Sequence, residues 1–232
     1  MNISRRKFIS LSSFAVIGTY TFCFEPHWVE FVFRNLSIKN LPGALVGKRL
    51  VQLSDLHIDR VDAGYLSRSF EVVKELSPDI VLYTGDFTDH KYNPFGDADK
   101  LFKNLPKGSL GTFGILGNHD YGPGWRHPEI AELVTNLVQD QGVTVLRNKM
   151  AVVEKLQIVG LDDLWGGRFD PSHVLPEVKN DAASIVLSHN PDTVDEPVWE
   201  NYKGWILAGH THGGQCKPRT EHAPHGLSRL HA

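Results

Sequence analysis

Five short apolar segments of this chain each end in a cluster of Asp, Asn or His side chains. The segments span residues 48–54, 80–83, 111–116, 184–187 and 205–208, and each is predicted to be a buried β-strand. Helical spacing of apolar residues follows the first and third of them, at 64–76 and 129–141, and an edge strand is predicted at 29–38. In open α/β sheets, ligands bind beyond the carboxyl ends of the strands. The pattern therefore predicts an α/β fold with a site where the five clusters meet.

The clusters supply the donor atoms of a metal centre. They contain two carboxylates, one amide and four imidazoles: Asp55, His57, Asp86, Asn118, His189, His210 and His212. A mixed nitrogen and oxygen set without thiolate suits Mn, Fe or Zn better than Mg or Ca. Seven ligands exceed what one ion can use with room for a substrate. The simplest interpretation is two divalent ions that share Asp86, and we expect Mn²⁺, with Fe or Zn as the alternatives. Such a site is a template for in-line displacement at phosphorus.

Each motif taken alone has a simpler explanation. A His-x-His pair is common at surfaces and turns, and Gly-Asp, Asp-x-His or Asn-His-Asp sequences are common turn and cap chemistry. The shared position of these motifs at strand ends favours the metal centre. A structural zinc module is a poor alternative, because the ligands are too many and thiolate ligands are missing. The two cysteines, Cys23 and Cys216, make neither a disulfide framework nor a metal knuckle.

Further residues near the clusters are candidates for catalysis or substrate binding. His119 remains after the ligands are assigned, and it could protonate a leaving oxygen or stabilise phosphoryl charge. Asp120 is predicted to orient the His119 ring and raise its basicity. Asp163 and Trp165 could line the substrate groove or support a ligand, and a purely structural loop explains them equally well. Trp125 flanks the third cluster and could meet the leaving group.

The order of the motifs resembles that of the calcineurin-like metallophosphoesterases. The motifs are Asp55-x-His57, Gly85-Asp86, Gly117-Asn118-His119-Asp120, His189 and Gly209-His210-x-His212. Segments 54–57, 188–192 and 209–215, behind the leader described below, resemble the YaeI/YkuE-type phosphodiesterase branch. The resemblance covers residues 25–215 and implies a sandwich of two mixed β-sheets flanked by helices. It also implies two ligand sets: Asp55, His57, Asp86 and His212 for one ion, and Asp86, Asn118, His189 and His210 for the other.

The resemblance implies a metal-dependent phosphodiesterase or pyrophosphatase. The expected substrate is a phosphoester or a nucleotide-sugar lipid, since some members of the branch cleave UDP-2,3-diacylglucosamine in lipid A synthesis. The net charge of −3 and the pI near 6.4 show no excess of basic residues of the kind that binds nucleic acid. We therefore do not expect nucleic acid as a partner. We expect a monomer.

The N-terminal residues 1–24 are predicted to direct export. Arg5 and Arg6 precede an acid-free apolar run over residues 9–24, as in a twin-arginine signal. The pattern predicts passage through the Tat machinery of a bacterium, with the leader either removed or kept as an anchor at the membrane surface of the cell envelope. An N-terminal helix of the domain is the alternative.

Residues 216–232 depart from the family pattern. They show neither strand alternation nor an apolar run, and their basic, Pro-containing composition is typical of disorder. The family would be expected to continue beyond Gln215 with further strands, so the domain at 25–215 is expected to be C-terminally truncated. The alternative function is therefore an inactive, metal-binding remnant that lacks those strands.

Overall fold

The computed structural model describes residues 31–89, 97–199 and 202–212, together with Ser12. It divides into two units, Met1–Leu36 and Ser37–Ala232. The predicted leader at 1–24, apart from Ser12, and the predicted tail at 216–232 lie outside the described residues. The prediction of an edge strand at 29–38 is wrong for the part that is described, because residues 31–38 form neither helix nor strand. No helix within the described ranges is long and apolar enough to cross a bilayer.

The first sheet of the second unit is parallel and follows the order of the sequence. Its strands are β1 (Leu50–Leu53), β2 (Ile80–Thr84), β3 (Gly111–Ile115) and β4 (Thr144–Val145), hydrogen-bonded in the order β1-β2-β3-β4. Parallel neighbours need a crossover, and three helices provide it: α1 (Ala63–Glu75), α2 (Asp97–Lys103) and α3 (Pro128–Gln139). The carboxyl ends of β1, β2 and β3 consequently lie at one edge.

The second sheet is mixed. Its strands are β5 (Lys149–Val153), β6 (Leu156–Gly160), β7 (Ser184–Leu187) and β8 (Trp205–Leu207), in the order β5-β6-β7-β8. The β5-β6 pair is an antiparallel hairpin, whereas β6-β7 and β7-β8 are parallel. The two-sheet fold predicted from the sequence is confirmed, with the refinement that all described pairs of the first sheet are parallel.

The central strands are buried on both faces. Val81 and Tyr83 of β2 pack against α1 and α3, while Leu82 on the opposite face is also fully buried. In the same way, Val159 of β6 belongs to a buried cluster with Val174 and Val186, and Ile158 on the opposite face of the strand is also fully buried. Side chains alternate between the two faces of a strand, so strands that are buried along their whole length are covered on both faces of their sheet.

A buried polar cluster links the loops at the site edge of the two sheets. Asp162, which follows β6, accepts hydrogen bonds from Tyr121 Oη at 2.5 Å and from Arg147 Nε at 2.8 Å. Arg147 lies between β4 and β5 and also pairs with Glu132 of α3. Burial and the neighbouring Asp162 carboxylate raise the pKa of Tyr121, so the phenol stays protonated and donates.

Removal of the carboxylate from this cluster is expected to destabilise the fold. Asp162→Ala leaves the Arg147 guanidinium and the Tyr121 hydroxyl without their shared acceptor, and the free energy of unfolding should fall by about 3 kcal/mol. Urea denaturation of both proteins measures the difference. The control is Glu71→Ala, which removes an exposed partner of Lys74 on α1 and should cost about 0.5 kcal/mol or less. Equal losses in the two variants would contradict a buried, linking role for Asp162.

Candidate metal centre

Backbone hydrogen bonds continue past the strand ends and link neighbouring loops within each sheet. In the first sheet, Asp55 N donates to Gly85 O at 3.0 Å and His57 N donates to Asp86 O at 3.1 Å. In the second sheet, Gly209 N donates to His189 O at 3.0 Å. The two sheets meet where His210 N donates to the Asp55 carboxylate at 3.0 Å. The structure therefore brings all seven predicted ligands into one cleft.

Asp86 lies at the centre of this cleft. Its carboxylate is 1% exposed, and Oδ2 lies 3.2 Å from His189 Nε2 and 3.7 Å from His57 Nε2. Its other oxygen, Oδ1, accepts a hydrogen bond from His119 N at 2.9 Å. One oxygen thus faces two imidazoles from different sheets while the other fixes the orientation of the carboxylate.

The first group of donors is Asp55, His57 and His212. His57 Nε2 and His212 Nε2 are 3.4 Å apart, with the two rings stacked at an interplanar angle of 5°. His212 Nε2 is 3.6 Å from Asp55 Oδ1. His57 is buried whereas His212 is exposed, so the cleft opens to solvent beside His212.

The second group of donors is Asp86, His189 and His210, with Asn118 beside it. One ring nitrogen of each histidine and a carboxylate oxygen of Asp86 lie within 4.8 Å of one another. His210 Nδ1 is 3.1 Å from Asn118 Oδ1. His189 Nδ1 is 2.7 Å from the carbonyl oxygen of Thr84, and this contact is a hydrogen bond if Nδ1 carries the proton. That tautomer leaves a lone pair on Nε2, as a metal ligand requires.

The backbone of the predicted ligands is unusual. Five of the seven have a positive φ: 54° for Asp55, 41° for His57, 56° for Asp86, 68° for His210 and 47° for His212. Residues other than glycine adopt this conformation at a cost and mostly where the surrounding structure enforces it. Such outliers concentrate at functional sites, which supports a functional role for these side chains.

Two glycines of the motifs, Gly117 and Gly209, lie where the backbone passes very close to side chains of the site. A Cβ on Gly117 would lie 2.2 Å from Asp86 Oδ1, and a Cβ on Gly209 would lie 2.0 Å from Ser54 Oγ. A side chain at Gly117 would displace the Asp86 carboxylate, and one at Gly209 would also lie 2.8 Å from Asp55 Oδ2. Glycine at these two positions therefore lets the loops pack closely enough for their donor atoms to converge.

The donor atoms fit divalent metal ions. Two ligands bound to one ion at about 2.1 Å lie about 3.0–3.5 Å apart, which is close to the separations between Asp86, His189, His57 and His212. His189 Nε2 is buried without a hydrogen-bond partner, and a metal ion bound to its lone pair would satisfy it. Burial lowers the pKa of His57, with His119 and His212 adding to the effect, and burial and His189 lower the pKa of His210. Both rings are therefore held neutral, as ligands must be.

Comparison with known proteins identifies the family. A model of the calcineurin-like phosphoesterases matches residues 48–214. The chain belongs to this family. Phosphodiesterase YaeI of Escherichia coli is 30% identical over 234 residues, which covers 93% of this chain and 80% of the relative. The uncharacterized metallophosphoesterase YkuE of Bacillus subtilis is 32% identical, covering 83% of this chain and 68% of its own.

Two further similarities are more distant. The UDP-2,3-diacylglucosamine pyrophosphatase LpxG of Chlamydia trachomatis is 27% identical, over 82% of this chain and 71% of the relative. A solved structure of a 5'-nucleotidase precursor from Thermus thermophilus shares 17% identity and a TM-score of 0.45, over 70% of this chain and 41% of the other. Membership of the family makes this chain a metal-dependent phosphoesterase with candidate His and Asp metal sites.

The environment of His119 in this metallophosphoesterase differs from the prediction. Asp120 was predicted to orient His119, but its carboxylate is fully buried and accepts hydrogen bonds from Thr88 N and Gly117 N. Burial raises the pKa of Asp120 to about 7, and the nearby Asp86 adds to the effect. The carboxylate against His119 Nδ1 is instead that of Asp89, at 2.7 Å. Asp120 therefore links the loops that follow β2 and β3. Asp89 lies beside His119 Nδ1, where Asp120 was expected.

Sequence reasoning missed Asp89. Its side chain also pairs with Arg60 at 3.1 Å, and with His57 and His119 it forms a third group of close donor atoms. The only signal in the sequence is its position three residues after Asp86, in a polar stretch that offers several carboxylates. Its pairing depends on how the loop after β2 turns back, and spacing alone does not show this.

Substitution of Asp89 is expected to impair turnover more than metal binding. Asp89→Asn keeps the shape but removes the negative charge beside His119 Nδ1, and loss of such a partner should lower kcat by about 10- to 100-fold. The dissociation constant for Mn²⁺, measured by calorimetry, should change less than the rate. An equal loss in metal affinity and kcat would show that Asp89 acts as a ligand rather than through His119.

Metal binding is expected to release a proton from His189. Burial by itself would lower the pKa of His189, but the adjacent Asp86 carboxylate, with Asp55 and the Thr84 carbonyl, raises it to about 9. Below that pH the metal-free ring is protonated, and an ion must displace the proton to bind Nε2. Affinity for Mn²⁺ should therefore rise with pH towards 9.

Calorimetry in buffers of different ionisation enthalpy measures this release. At pH 7.5 the wild-type protein should release about one proton more than His189→Gln does on binding Mn²⁺. The variant is the control for protons that come from other groups. The same proton count for the two proteins would mean that the metal-free His189 is neutral.

Proposed function

We propose that this protein is a dinuclear phosphodiesterase or pyrophosphatase. The observation that carries the proposal is the position of Asp86 Oδ2, which faces His57 on one side and His189 on the other. One carboxylate oxygen between two groups of donors is what two ions need if they are to share a ligand. Asp55, His57, Asp86 and His212 would hold one ion, and Asp86, Asn118, His189 and His210 the other.

The residues of the chain supply the remaining chemistry. When bound, two divalent ions provide Lewis-acid stabilisation of phosphoryl oxygens and activate water. His119 lies at the edge of the cleft, one quarter exposed, with Asp89 at Nδ1. Because Asp89 engages Nδ1, proton transfer to a leaving oxygen would use Nε2.

Mn²⁺ is the proposed ion at both positions, with Fe or Zn as alternatives. The donors are four imidazoles, two carboxylates and one amide. Hard oxygen donors combined with imidazole suit this part of the first transition series, and no cysteine is a member of the described clusters.

The proposed substrate is a phosphodiester, or the pyrophosphate bond of a nucleotide-sugar lipid such as UDP-2,3-diacylglucosamine. Two similarities support these choices: the relative from E. coli is a phosphodiesterase, and the relative from C. trachomatis is a pyrophosphatase for that lipid. We propose that the protein acts as a monomer at the membrane surface of the cell envelope. The twin-arginine pattern at Arg5 and Arg6 supports export through the Tat machinery.

The test is metal-dependent turnover of bis(p-nitrophenyl) phosphate by the full chain. Mn²⁺ should restore activity to protein stripped with a chelator, and Asp86→Asn should lower kcat/KM by at least about 100-fold, because both ions lose a shared ligand. Asp140→Asn, an exposed carboxylate at the end of α3, is the control and should retain wild-type activity. UDP-2,3-diacylglucosamine is assayed in parallel to separate the two substrate classes.

Two outcomes would overturn the proposal. One is the absence of any metal-dependent turnover of either substrate by folded, metal-loaded protein. The other is activity of Asp86→Asn that equals that of the Asp140→Asn control.

A further inference from the structure

Two tryptophans form a wall beside the candidate metal centre. The Trp165 ring meets the His210 ring edge-on, with centroids 4.2 Å apart and an interplanar angle of 79°. Trp125 lies 5.1 Å from Trp165 and 6.4 Å from His119, centroid to centroid. The aromatic wall, Trp125 and Trp165, thus extends from a predicted metal ligand to the predicted acid.

Trp165 is exposed although its loop is firmly held. Its side chain is 42% exposed, which is high for the largest apolar residue. The loop is anchored by Asp163, whose Oδ1 accepts from Gly166 N at 2.5 Å, and by Asn190, whose Oδ1 accepts from Leu164 N at 3.0 Å. Both anchors are buried. The fold therefore leaves a large part of the Trp165 indole exposed to solvent at a fixed position beside the candidate metal centre.

Trp125 is held in a strained conformation. Its φ is 61°, and the preceding Gly124 has a φ of 66°. A bulky side chain in the left-handed region is a genuine outlier that the surrounding structure must enforce. Trp125 N donates to Gly122 O at 2.9 Å, and the side chain packs against the buried apolar residues of the first sheet and its helices. This strained conformation places the indole ring of Trp125 between His119 and Trp165.

We propose that the aromatic wall binds a planar aromatic group, such as a nucleobase or an aryl ring, that is attached to the phosphate held at the metal centre. The inference rests on the proposed function and adds a substrate class to it. A flat ring can pack against the exposed part of the Trp165 indole and so gain contact area and a favourable ring–ring geometry. A saturated group of the same size can gain the area but not the stacking.

The test compares three inert phosphonates that differ only in the group on phosphorus. Phenyl-, cyclohexyl- and methylphosphonate are titrated into the Mn²⁺-loaded full chain, and their dissociation constants are measured by calorimetry. The wild-type protein should bind phenylphosphonate about 3- to 10-fold more tightly than cyclohexylphosphonate. Trp165→Leu should reduce this ratio to about one, and Trp165→Phe should restore part of it.

The control variant is Leu133→Ala on α3, which removes an apolar side chain that is 50% exposed and should retain the wild-type ratio. A ratio near one in the wild-type protein would overturn the proposal and would indicate a merely apolar surface or a structural role for Trp165. A phenyl preference that survives Trp165→Leu would also overturn it. Metal-dependent binding of methylphosphonate reports on the metal centre alone, so its loss marks the failure of the proposed function instead.

Discussion

The whole site depends on one buried carboxylate. Asp86 sends one oxygen towards imidazoles from both sheets and uses the other to accept the amide hydrogen of His119. A carboxylate that is 1% exposed is expensive to bury without compensation. The hydrogen bond and the surrounding imidazoles offset part of that cost. Because the Asp86 carboxylate contacts His57, His189 and the amide of His119, the loops that carry these residues have little freedom to rearrange.

The sequence contained enough information to predict the five strands that end in donor clusters, two of the helices and the positions of the donors. Buried apolar runs and helical spacing gave bounds for these elements within a few residues of those in the structure, whereas the edge strand predicted at 29–38 was wrong where it is described. The donor clusters converge because parallel strands end at one edge. Their roles as ligands remain a prediction, while the geometry that such roles need is present.

The contacts that sequence could not supply are those set by loop conformation. The assignment of Asp120 as the partner of His119 relied on adjacency along the chain, yet neighbouring residues in a turn point in different directions. Asp120 faces inward to the amides of Thr88 and Gly117, and Asp89 approaches His119 from another loop. The exposed position of Trp165 is equally a property of loop geometry, since the sequence alone favoured neither a groove nor a structural loop.

The distribution of the donors between the two sheets has a consequence for folding. Asp55, His57, Asp86 and Asn118 follow strands of the first sheet, whereas His189, His210 and His212 follow strands of the second. An ion with ligands from both sheets would cross-link one sheet to the other. Any species that binds the native state and not the unfolded chain adds its binding free energy to stability. For this protein, the ions that we propose for catalysis would therefore also stabilise the fold, so their removal would lower stability as well as activity.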